Sequence, residues 1–305
     1  MAAAPRVKGL AGYLLYRALS GLFGLLPAPA VRVTGRTLGT GLSYVAGKRM
    51  DLLRRHMRRV MGPDPSEEEV TAAGRAMFAS YGRYWAEVFW FRPRRKDQVV
   101  GGTRVTGLDD VFEAKNQGRG IIFVVPHMGN WEVAGSIAET LDLHVLSVAE
   151  DLPNSRITDW FVKTRAAYGI EIIVAGRSST TTPLVRALKN AQVVALVADR
   201  DVTGRGIEVE FFGEKTTMPA GPVSLALMTG AAIFPIGSQF DGAGHYFPCQ
   251  PELPIPEGED RSERIRLGTQ AIAYAYEKLI REKPTDWHLF SPNWPSDRVV
   301  EDLDG

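Results

Sequence analysis

The chain has 305 residues, of which 45% are hydrophobic and 23% charged. That composition is typical of a globular protein and excludes disordered, collagen-like and disulfide-rich classes. A formal net charge of +1 does not favour nucleic acid as a partner, so a cationic binding surface must be local. Without repeats or a low-complexity linker, we expect one domain over residues 1–305, with a helical part at 1–95 and an α/β core at 96–305.

Two segments of the helical part have membrane-like features. Residues 10–26 are mostly apolar and contain Arg17, but they are shorter than the roughly 20 apolar residues that span a bilayer. We interpret them as a helix lying in the membrane interface; a signal peptide and an ordinary buried helix are the alternatives. Lys48–Met61 combines basic residues with apolar residues at helical spacing, which suits either an anionic membrane surface or packing on a core. We expect His56 of this segment at the surface.

Proline and a capping pattern separate the next helix from this one. Pro63 and Pro65 end the preceding helix, because proline lacks the backbone N–H that a helix interior needs. Ser66 followed by Glu69 is a capping box that opens a new helix.

From about residue 100, apolar runs alternate with helical patterns. Residues 120–125 read GIIFVV, a strand that is apolar on both faces, as in a parallel or mixed sheet. The whole pattern predicts an α/β fold, with a central, mostly parallel or mixed β-sheet covered by helices on both faces and a helical, membrane-facing N-terminal part. The predicted strands are 120–125, 143–148, 171–174, 193–198 and 232–237, and the predicted helices are 108–115, 131–141, 155–168, 181–190, 221–229 and 262–282.

A histidine and a glutamate follow the first of these strands. Catalytic groups in α/β sheets gather at the carboxyl ends of strands, where His127 lies. Glu132 is five residues further on, and the two side chains can meet if His127 lies on a turn and Glu132 in the first helical turn. Gly129 and Asn130 provide the turn and a candidate N-cap. A histidine held by a carboxylate is a general base that works near neutral pH.

The absence of other catalytic motifs limits the reactions in which this base could act. The sequence lacks a G-x-S-x-G elbow, an H-E-x-x-H helix, a Walker A loop and a strand-linked G-x-G-x-x-G, and it has one cysteine. We therefore expect no metal, no nucleotide cofactor and no protein nucleophile. A base of this kind suits direct attack by a bound hydroxyl or by water.

The H-x-x-x-x-E motif resembles that of the glycerolipid and lysophospholipid acyltransferase superfamily. The segments ADRD at 198–201, VEFFG at 209–213 and TMPAGP at 217–222 look like blocks of its bacterial lipid A biosynthesis branch. Glu132 in place of aspartate, and D-R-D in place of D-Q-D, suit the actinobacterial phosphatidylinositol mannoside acyltransferases, which the chain closely resembles.

This resemblance implies a reaction and a location. An acyl group would pass from acyl-CoA, as co-substrate and without any cofactor, to a mannose hydroxyl of the glycolipid. His127 would deprotonate that hydroxyl and Glu132 would orient His127, with no acyl-enzyme. The enzyme would be peripheral, on an anionic membrane surface at the cytoplasmic face of the cell inner membrane. A lipid A-type (Kdo-lipid) acyltransferase, a His/Glu-dependent thioesterase and a non-catalytic lipid-binding protein are the alternatives.

Further residues are predicted to bind substrate, each with a plainer alternative. Cations would meet phosphates of the donor or acceptor, or lie in solvent. Carboxylates would accept hydrogen bonds from sugar hydroxyls, or cap turns. Aromatic residues would wall the pocket, or pack in the core. These candidates are Asn130, Glu150, Arg165, Asp201, Arg205, Phe211 and Phe212.

Overall fold

The N-terminal part is helical, as the sequence predicts. The computed structural model describes residues 4–177 and 179–298. The capping box is present, with the Ser66 side chain and the Glu69 backbone N–H joined and the Glu69 side chain returning to the Ser66 N–H. Within the described ranges, every helix is too short or too polar to cross a membrane. The helices here are α1 (Ala4–Phe23), α2 (Ala28–Ser43), α3 (Lys48–Met61) and α4 (Glu67–Trp90).

Glycines bring α2 and α4 into close contact. A Cβ atom on Gly39 would lie 2.1 Å from the carbonyl oxygen of Phe78, and one on Gly82 would lie 2.1 Å from that of Gly35. No larger residue fits at these positions without moving the backbone. The close packing fixes α2, with its exposed apolar side chains, on the side of α4.

The central sheet has five strands in the order β4-β3-β5-β2-β8, and each neighbouring pair is parallel. All five correspond to the predicted strands, so the predicted fold class is confirmed, while the membrane-facing role of the helices stays a prediction. The sheet consists of β2 (Ile121–Val125), β3 (Val145–Ala149), β4 (Ile170–Val174), β5 (Val193–Val197) and β8 (Ala232–Pro235).

Apolar residues on both faces of this sheet are covered. On one face Ile122 and Val124 join a core with the C-terminal helices and with α3 and α4. On the other face Phe123 and Val125 pack with the helices that follow residues 108 and 133. The covering helices are α6 (Asp109–Asn116), α7 (Ala134–Thr140), α8 (Ser155–Ala166), α9 (Thr181–Lys189), α10 (Gly221–Thr229) and α11 (Arg261–Glu282), with the short α5 (Lys96–Gly101) before them.

Smaller β elements and a C-terminal segment complete the fold. A three-stranded sheet has the order β1-β10-β9, and β6 and β7 form an antiparallel hairpin. The segment 283–298, called the C-terminal strap below, contacts the turn after β2 through a bridge between Met128 and Trp287. The remaining strands are β1 (Thr103–Thr106), β6 (Ile207–Phe211), β7 (Glu214–Met218), β9 (Gln239–Asp241) and β10 (Gly244–Pro248).

Candidate active site

The turn after β2 holds His127 at the carboxyl end of the sheet. Gly129 has a φ of +58°, and a Cβ atom there would lie 2.2 Å from the carbonyl oxygen of Ser238. Only glycine fits this combination of left-handed backbone and close approach. The Gly129 N–H donates to the carbonyl of Asp286, so the turn is fixed against the strap.

The carboxylate that contacts His127 belongs to Asp199. The His127 Nδ1 lies 2.5 Å from Asp199 Oδ1, and the His127 backbone N–H donates to Asp199 Oδ2 at 2.9 Å. β2 and β5 are adjacent with Val125 opposite Val197. Two residues further along each strand, the same register therefore places residue 127 opposite residue 199.

The geometry leaves His127 with one free nitrogen. An ionised carboxylate only accepts, so Nδ1 carries a proton, and in the neutral form of the ring Nε2 carries the lone pair. Across the described ranges no hydrogen bond reaches Nε2, and the side chain is 29% exposed. The Trp131 ring lies edge-on to the imidazole at 5.6 Å. His127 is thus placed to accept a proton from a group in the adjoining cavity.

Asp199 is a buried anion with its own donors. Burial raises the pKa of this carboxyl group, but the charge of His127 and hydrogen bonds from His127 and the Trp287 indole outweigh that effect and hold the pKa below its usual value. The Trp287 Nε1–H donates to Asp199 Oδ2 at 2.9 Å. Asp199 therefore stays ionised beside the histidine at neutral pH.

Glu132 has partners other than the predicted one. It accepts from Arg165 Nε at 2.8 Å and from Nη2 at 2.5 Å, and from the Tyr84 hydroxyl at 3.3 Å. Among the residues that the structure describes, no hydrogen bond joins Glu132 to His127, and Asp199 takes the predicted place. The reason is that the 3-10 helix Trp131–Val133 carries Glu132 towards α8, while the adjacent strand brings Asp199 to the imidazole.

Arg165 thereby becomes a fixed cation in the cavity wall. Burial lowers its pKa, but the charge of Glu132 and the two hydrogen bonds raise it further above the usual range. Burial and the nearby Glu132 charge also raise the pKa of the Tyr84 hydroxyl well above its usual value. Arg165 is therefore charged and Tyr84 is a neutral donor at neutral pH.

The Asn130 side chain contacts α4 and does not line the cavity. Asn130 occupies the N-cap position of the 3-10 helix without a capping side-chain bond, because its amide donates to Glu87 Oε2 at 2.8 Å. Glu87 also pairs with His245 at 2.8 Å and with Arg83 at 2.7 Å. Burial raises the pKa of Glu87, but the hydrogen bond from His245 and its charge, with Arg83 and Asn130, lower it to about 2.

His127 opens onto a cavity of about 850 Å³. Its walls are mainly apolar and extend from the carboxyl end of the sheet along the face covered by α7. Residues from α9 and α10, on the other face, line a second side. The α7-side wall, which we call the apolar arm, includes Phe123, Ile137, Leu141, Leu143, Val145 and Ile170.

Polar residues surround the opening of the same cavity. Arg200 donates to Glu150 at 3.1 Å and to the Ser291 hydroxyl at 3.2 Å, and all three line the cavity. Arg49 from α3 also lies on the wall. Of the predicted residues, the structure thus brings His127, Glu132, Glu150 and Arg165 together at one cavity.

The other predicted residues lie outside the cavity lining. Asp201 accepts hydrogen bonds from the backbone of Thr203, Gly204 and Gly206 and from side chains of Thr203 and Thr217, so it shapes its own loop. Arg205 is exposed within that loop. Phe211 is fully buried and stacks on Trp294, and Phe212 is buried against Trp287. At these positions the structure shows a carboxylate that binds its own loop, an exposed arginine and two aromatic residues packed in the core.

Residues that the sequence analysis missed complete the site. His288 lines the cavity and accepts or donates at the Ser80 hydroxyl, 2.9 Å from its Nε2. Burial and the charge of His127 lower the His288 pKa to about 3. Trp287 and Tyr84 likewise contact the central groups from distant segments. Their only sequence signal is an aromatic-rich strap and an aromatic-rich helix, which core packing produces as well.

Comparison with known proteins identifies the class of enzyme. A family model described as bacterial lipid A biosynthesis acyltransferase matches residues 4–296. The chain therefore belongs to this family, and it is an acyltransferase, as the resemblance of its motifs implied.

Within the family, the chain can be compared with individual proteins. The chain is 35% identical over 297 residues to the phosphatidylinositol mannoside acyltransferase of Mycobacterium tuberculosis (strain CDC 1551 / Oshkosh), covering 94% of this chain and 87% of that protein. The protein of the same name from Mycolicibacterium smegmatis is 34% identical over 262 residues, covering 85% and 84%. The lipid A biosynthesis palmitoleoyltransferase of Escherichia coli (strain K12) is 26% identical over 264 residues, covering 84% and 81%.

Proposed function

We propose that this acyltransferase moves a long acyl chain from acyl-CoA to a mannose hydroxyl of a phosphatidylinositol mannoside at a membrane surface. The observation that carries the proposal is the free Nε2 of His127 at the opening of a large apolar cavity. The names of the relatives that are 34–35% identical support the choice of acceptor.

The arrangement of His127 supports direct transfer. Nε2 would take the proton of the acceptor hydroxyl as that oxygen attacks the thioester carbonyl. The tetrahedral intermediate would collapse with departure of the CoA thiolate, and the proton held by His127 would pass to that sulfur. A thiol with a pKa near ~8.5 is a good leaving group. Asp199 would stabilise the transient imidazolium, and no acyl-enzyme forms.

The apolar arm suits the acyl chain. Along β3 and the residues just before it, the wall runs from Ala149 to Leu143, six residue steps that span about 20 Å at ~3.3 Å per step. An extended chain of bonds about 1.5 Å long advances ~1.3 Å per carbon, so the arm would hold about 15 carbons. Each methylene that leaves water would contribute about 0.8 kcal/mol to binding.

The polar opening suits the sugar and phosphates. Glu150 can accept hydrogen bonds from sugar hydroxyls, and Arg200 and Arg49 can meet phosphate oxygens of the donor or acceptor. Glu132 would act by holding Arg165 in the wall, beside the reacting groups. This differs from the expectation that Glu132 orients His127, since its contacts are with Arg165 and Tyr84.

We further propose that α1 and α2 contact the cytoplasmic face of the inner membrane. Leucines are exposed in the last turn of α1 and just after it, 58% at Leu22 and 83% at Leu25. Near them, Arg94 and Arg17 are close enough to lower the pKa of Arg92, after burial as the main cause. Apolar side chains beside arginines suit an anionic lipid surface. Later arginines of α3 instead pair with acids, as in the pairs Arg54–Glu67 and Arg59–Glu214.

Vesicle binding tests this surface. Replacing Leu22 and Leu25 with serine should reduce co-sedimentation with phosphatidylglycerol-containing vesicles at least tenfold, because apolar insertion is lost. The matched control is Tyr274→Ser, which removes a large exposed side chain from α11, a helix outside the proposed membrane surface. The membrane proposal would be contradicted if both variants lost vesicle binding equally. It would also be contradicted if vesicle binding did not depend on anionic lipid or on salt concentration.

An activity assay tests the reaction. Palmitoyl-CoA is supplied with mannosylated phosphatidylinositol, with a lipid A precursor, or with no acceptor. We expect acylated mannolipid and CoA in equal amounts, and slow CoA release without acceptor. Preference for the lipid A precursor would support the lipid A-type alternative. CoA release that is equally fast without acceptor would identify a thioesterase, and retention of lipid binding without any turnover would favour a binding protein.

A further inference from the structure

The indole of Trp287 contacts the carboxylate that binds the proposed base, His127. Trp287 is fully buried, and its Nε1–H donates to Asp199 Oδ2 at 2.9 Å. The backbone N–H of His127 donates to the same oxygen at 2.9 Å. Two donors on Oδ2 fix the plane of the carboxylate and leave Oδ1 facing His127 Nδ1 at 2.5 Å.

The strap that carries Trp287 is aligned on the catalytic turn. Trp287 bridges to Met128, and the next residue, His288, donates its backbone N–H to the carbonyl of His127 at 2.6 Å. The indole packs edge-on to Phe211 at 5.9 Å. Its N–H is therefore directed at Asp199 by backbone and side-chain contacts together, and it is not free to rotate away.

We propose that Trp287 is a positioning residue for His127 that acts through Asp199, the carboxylate already described at this site. Trp287 orients the Asp199 carboxylate, and Asp199 orients the imidazole and balances its charge when it is protonated. The proposal rests on the proposed function, because acyl transfer is the activity in which the effect is measured.

A second tryptophan of the strap provides a matched control. Trp294 is also fully buried, and its Nε1–H also donates within the core, but to the backbone carbonyl of Phe211 at 3.1 Å. Replacing either tryptophan with phenylalanine removes one indole N–H and similar volume from the same strap. Only Trp287→Phe removes a donor from Asp199.

Steady-state kinetics of four variants tests the coupling. We expect Trp287→Phe to lower kcat about 10- to 100-fold with KM for acyl-CoA within ~3-fold, since a donor to a charged group is lost where charge develops. Asp199→Asn should lower kcat on the order of 1000-fold. In the double variant, Trp287→Phe should add less than ~3-fold, because residues acting through one another are non-additive. Trp294→Phe should keep kcat within ~3-fold.

An isosteric replacement covers the case in which Trp287→Phe does not fold. Benzothienylalanine at position 287 keeps the bicyclic shape and replaces the ring N–H with sulfur, so packing is retained while the donor is lost. The same fall in kcat is expected, and the benzothienyl replacement at position 294 is its control. Unchanged kcat with benzothienylalanine at 287 overturns the role of Trp287.

The imidazole N–H signals give a readout that is independent of activity. In proton NMR, the downfield N–H signal that disappears in His127→Gln is assigned to His127. We expect it to disappear or move in Asp199→Asn, to move in Trp287→Phe and to stay in Glu132→Gln. The signal of His245, which also contacts a carboxylate, should stay in all three.

The outcomes separate this inference from the proposed function. If His127→Gln keeps full activity, the proposed function fails. If His127→Gln is inactive but Trp287→Phe and Trp294→Phe behave alike, or the two effects at Asp199 and Trp287 simply multiply, the positioning role of Trp287 fails. If the His127 signal is lost in Glu132→Gln and kept in Asp199→Asn, Glu132 is the positioning carboxylate.

Discussion

Two histidine–aspartate pairs in this enzyme have the same residue types but differ in what the second ring nitrogen contacts. In the pair His127–Asp199, one ring nitrogen meets the carboxylate and the other faces the cavity. In the pair His56–Asp297, Nε2 meets the carboxylate at 3.0 Å and Nδ1 meets the carbonyl oxygen of Leu289 at 3.1 Å. Both side chains of the second pair are fully buried.

The difference lies in what remains free on the ring. A carbonyl and a carboxylate both only accept, so both ring nitrogens of His56 face acceptors and neither faces a group that could give up a proton. In His127 only one ring nitrogen meets an acceptor among the described residues, and the other faces the cavity. A histidine beside a carboxylate is therefore a candidate base only if its second nitrogen reaches a cavity, and otherwise it joins segments of the fold.

The largest expected contrast is between the two histidines. His127→Gln should lower kcat on the order of 10³- to 10⁴-fold and lower the melting temperature less than His56→Gln does, because Asp199 keeps the Trp287 indole and the backbone N–H of residue 127 as donors. His56→Gln should keep kcat per folded molecule within ~3-fold and lower the melting temperature. Kinetics and calorimetry on both variants check this. A fall in kcat of similar size in both variants would contradict the distinction.

Stability should respond most strongly at Asp297. This buried carboxylate contacts the buried His56 and the half-buried Arg55 and Arg59, so Asp297→Asn removes the anion that these three groups share. We expect a loss of about 3–5 kcal/mol in the free energy of unfolding, measured by urea titration. Its control is Glu150→Gln in an exposed ion pair, which should cost under about 1 kcal/mol. Similar losses would remove the structural role of the second pair.

The smallest expected effect is a pH dependence from His288, a buried histidine without a carboxylate contact in the described ranges. Its pKa is about 3 in the folded state and ~6.5 when unfolded. The unfolded chain therefore binds the proton first, and stability falls as pH decreases from ~6.5 towards 3, with a slope of at most about 1.4 kcal/mol per pH unit. Stability should be independent of this group above ~6.5.

His288→Gln isolates that contribution. Urea titrations of the wild type and the variant at pH 5, 6 and 7 should show a wild-type loss between pH 6 and 5 that the variant lacks. Asp286 and Ser80, which join His288 in one hydrogen-bonded group, are unchanged in the comparison. Parallel pH curves for the two proteins would show that His288 takes up its proton in the folded state as well.

Much of the fold could be predicted because its signals are local. Each strand of the central sheet is a short apolar run, and α4 begins at the capping box that Ser66 and Glu69 predict. The position of His127 after a buried strand also follows from local pattern. His56 was predicted at the surface and is buried, because a neighbouring segment of the fold, the strap, covers that side of α3.

The sequence by itself determined the α/β class, the strand that presents His127 and the family to which the motifs point. Only the tertiary structure decided which carboxylate meets His127. β5 pairs with β2 in a register that places Asp199, 72 residues away, against the imidazole, while Glu132, five residues away, turns to Arg165. The hydrophobic periodicity that predicts a helix or a strand lies within one segment of the sequence. Strand order and register depend on packing among distant segments, so closeness in sequence does not predict which carboxylate contacts His127.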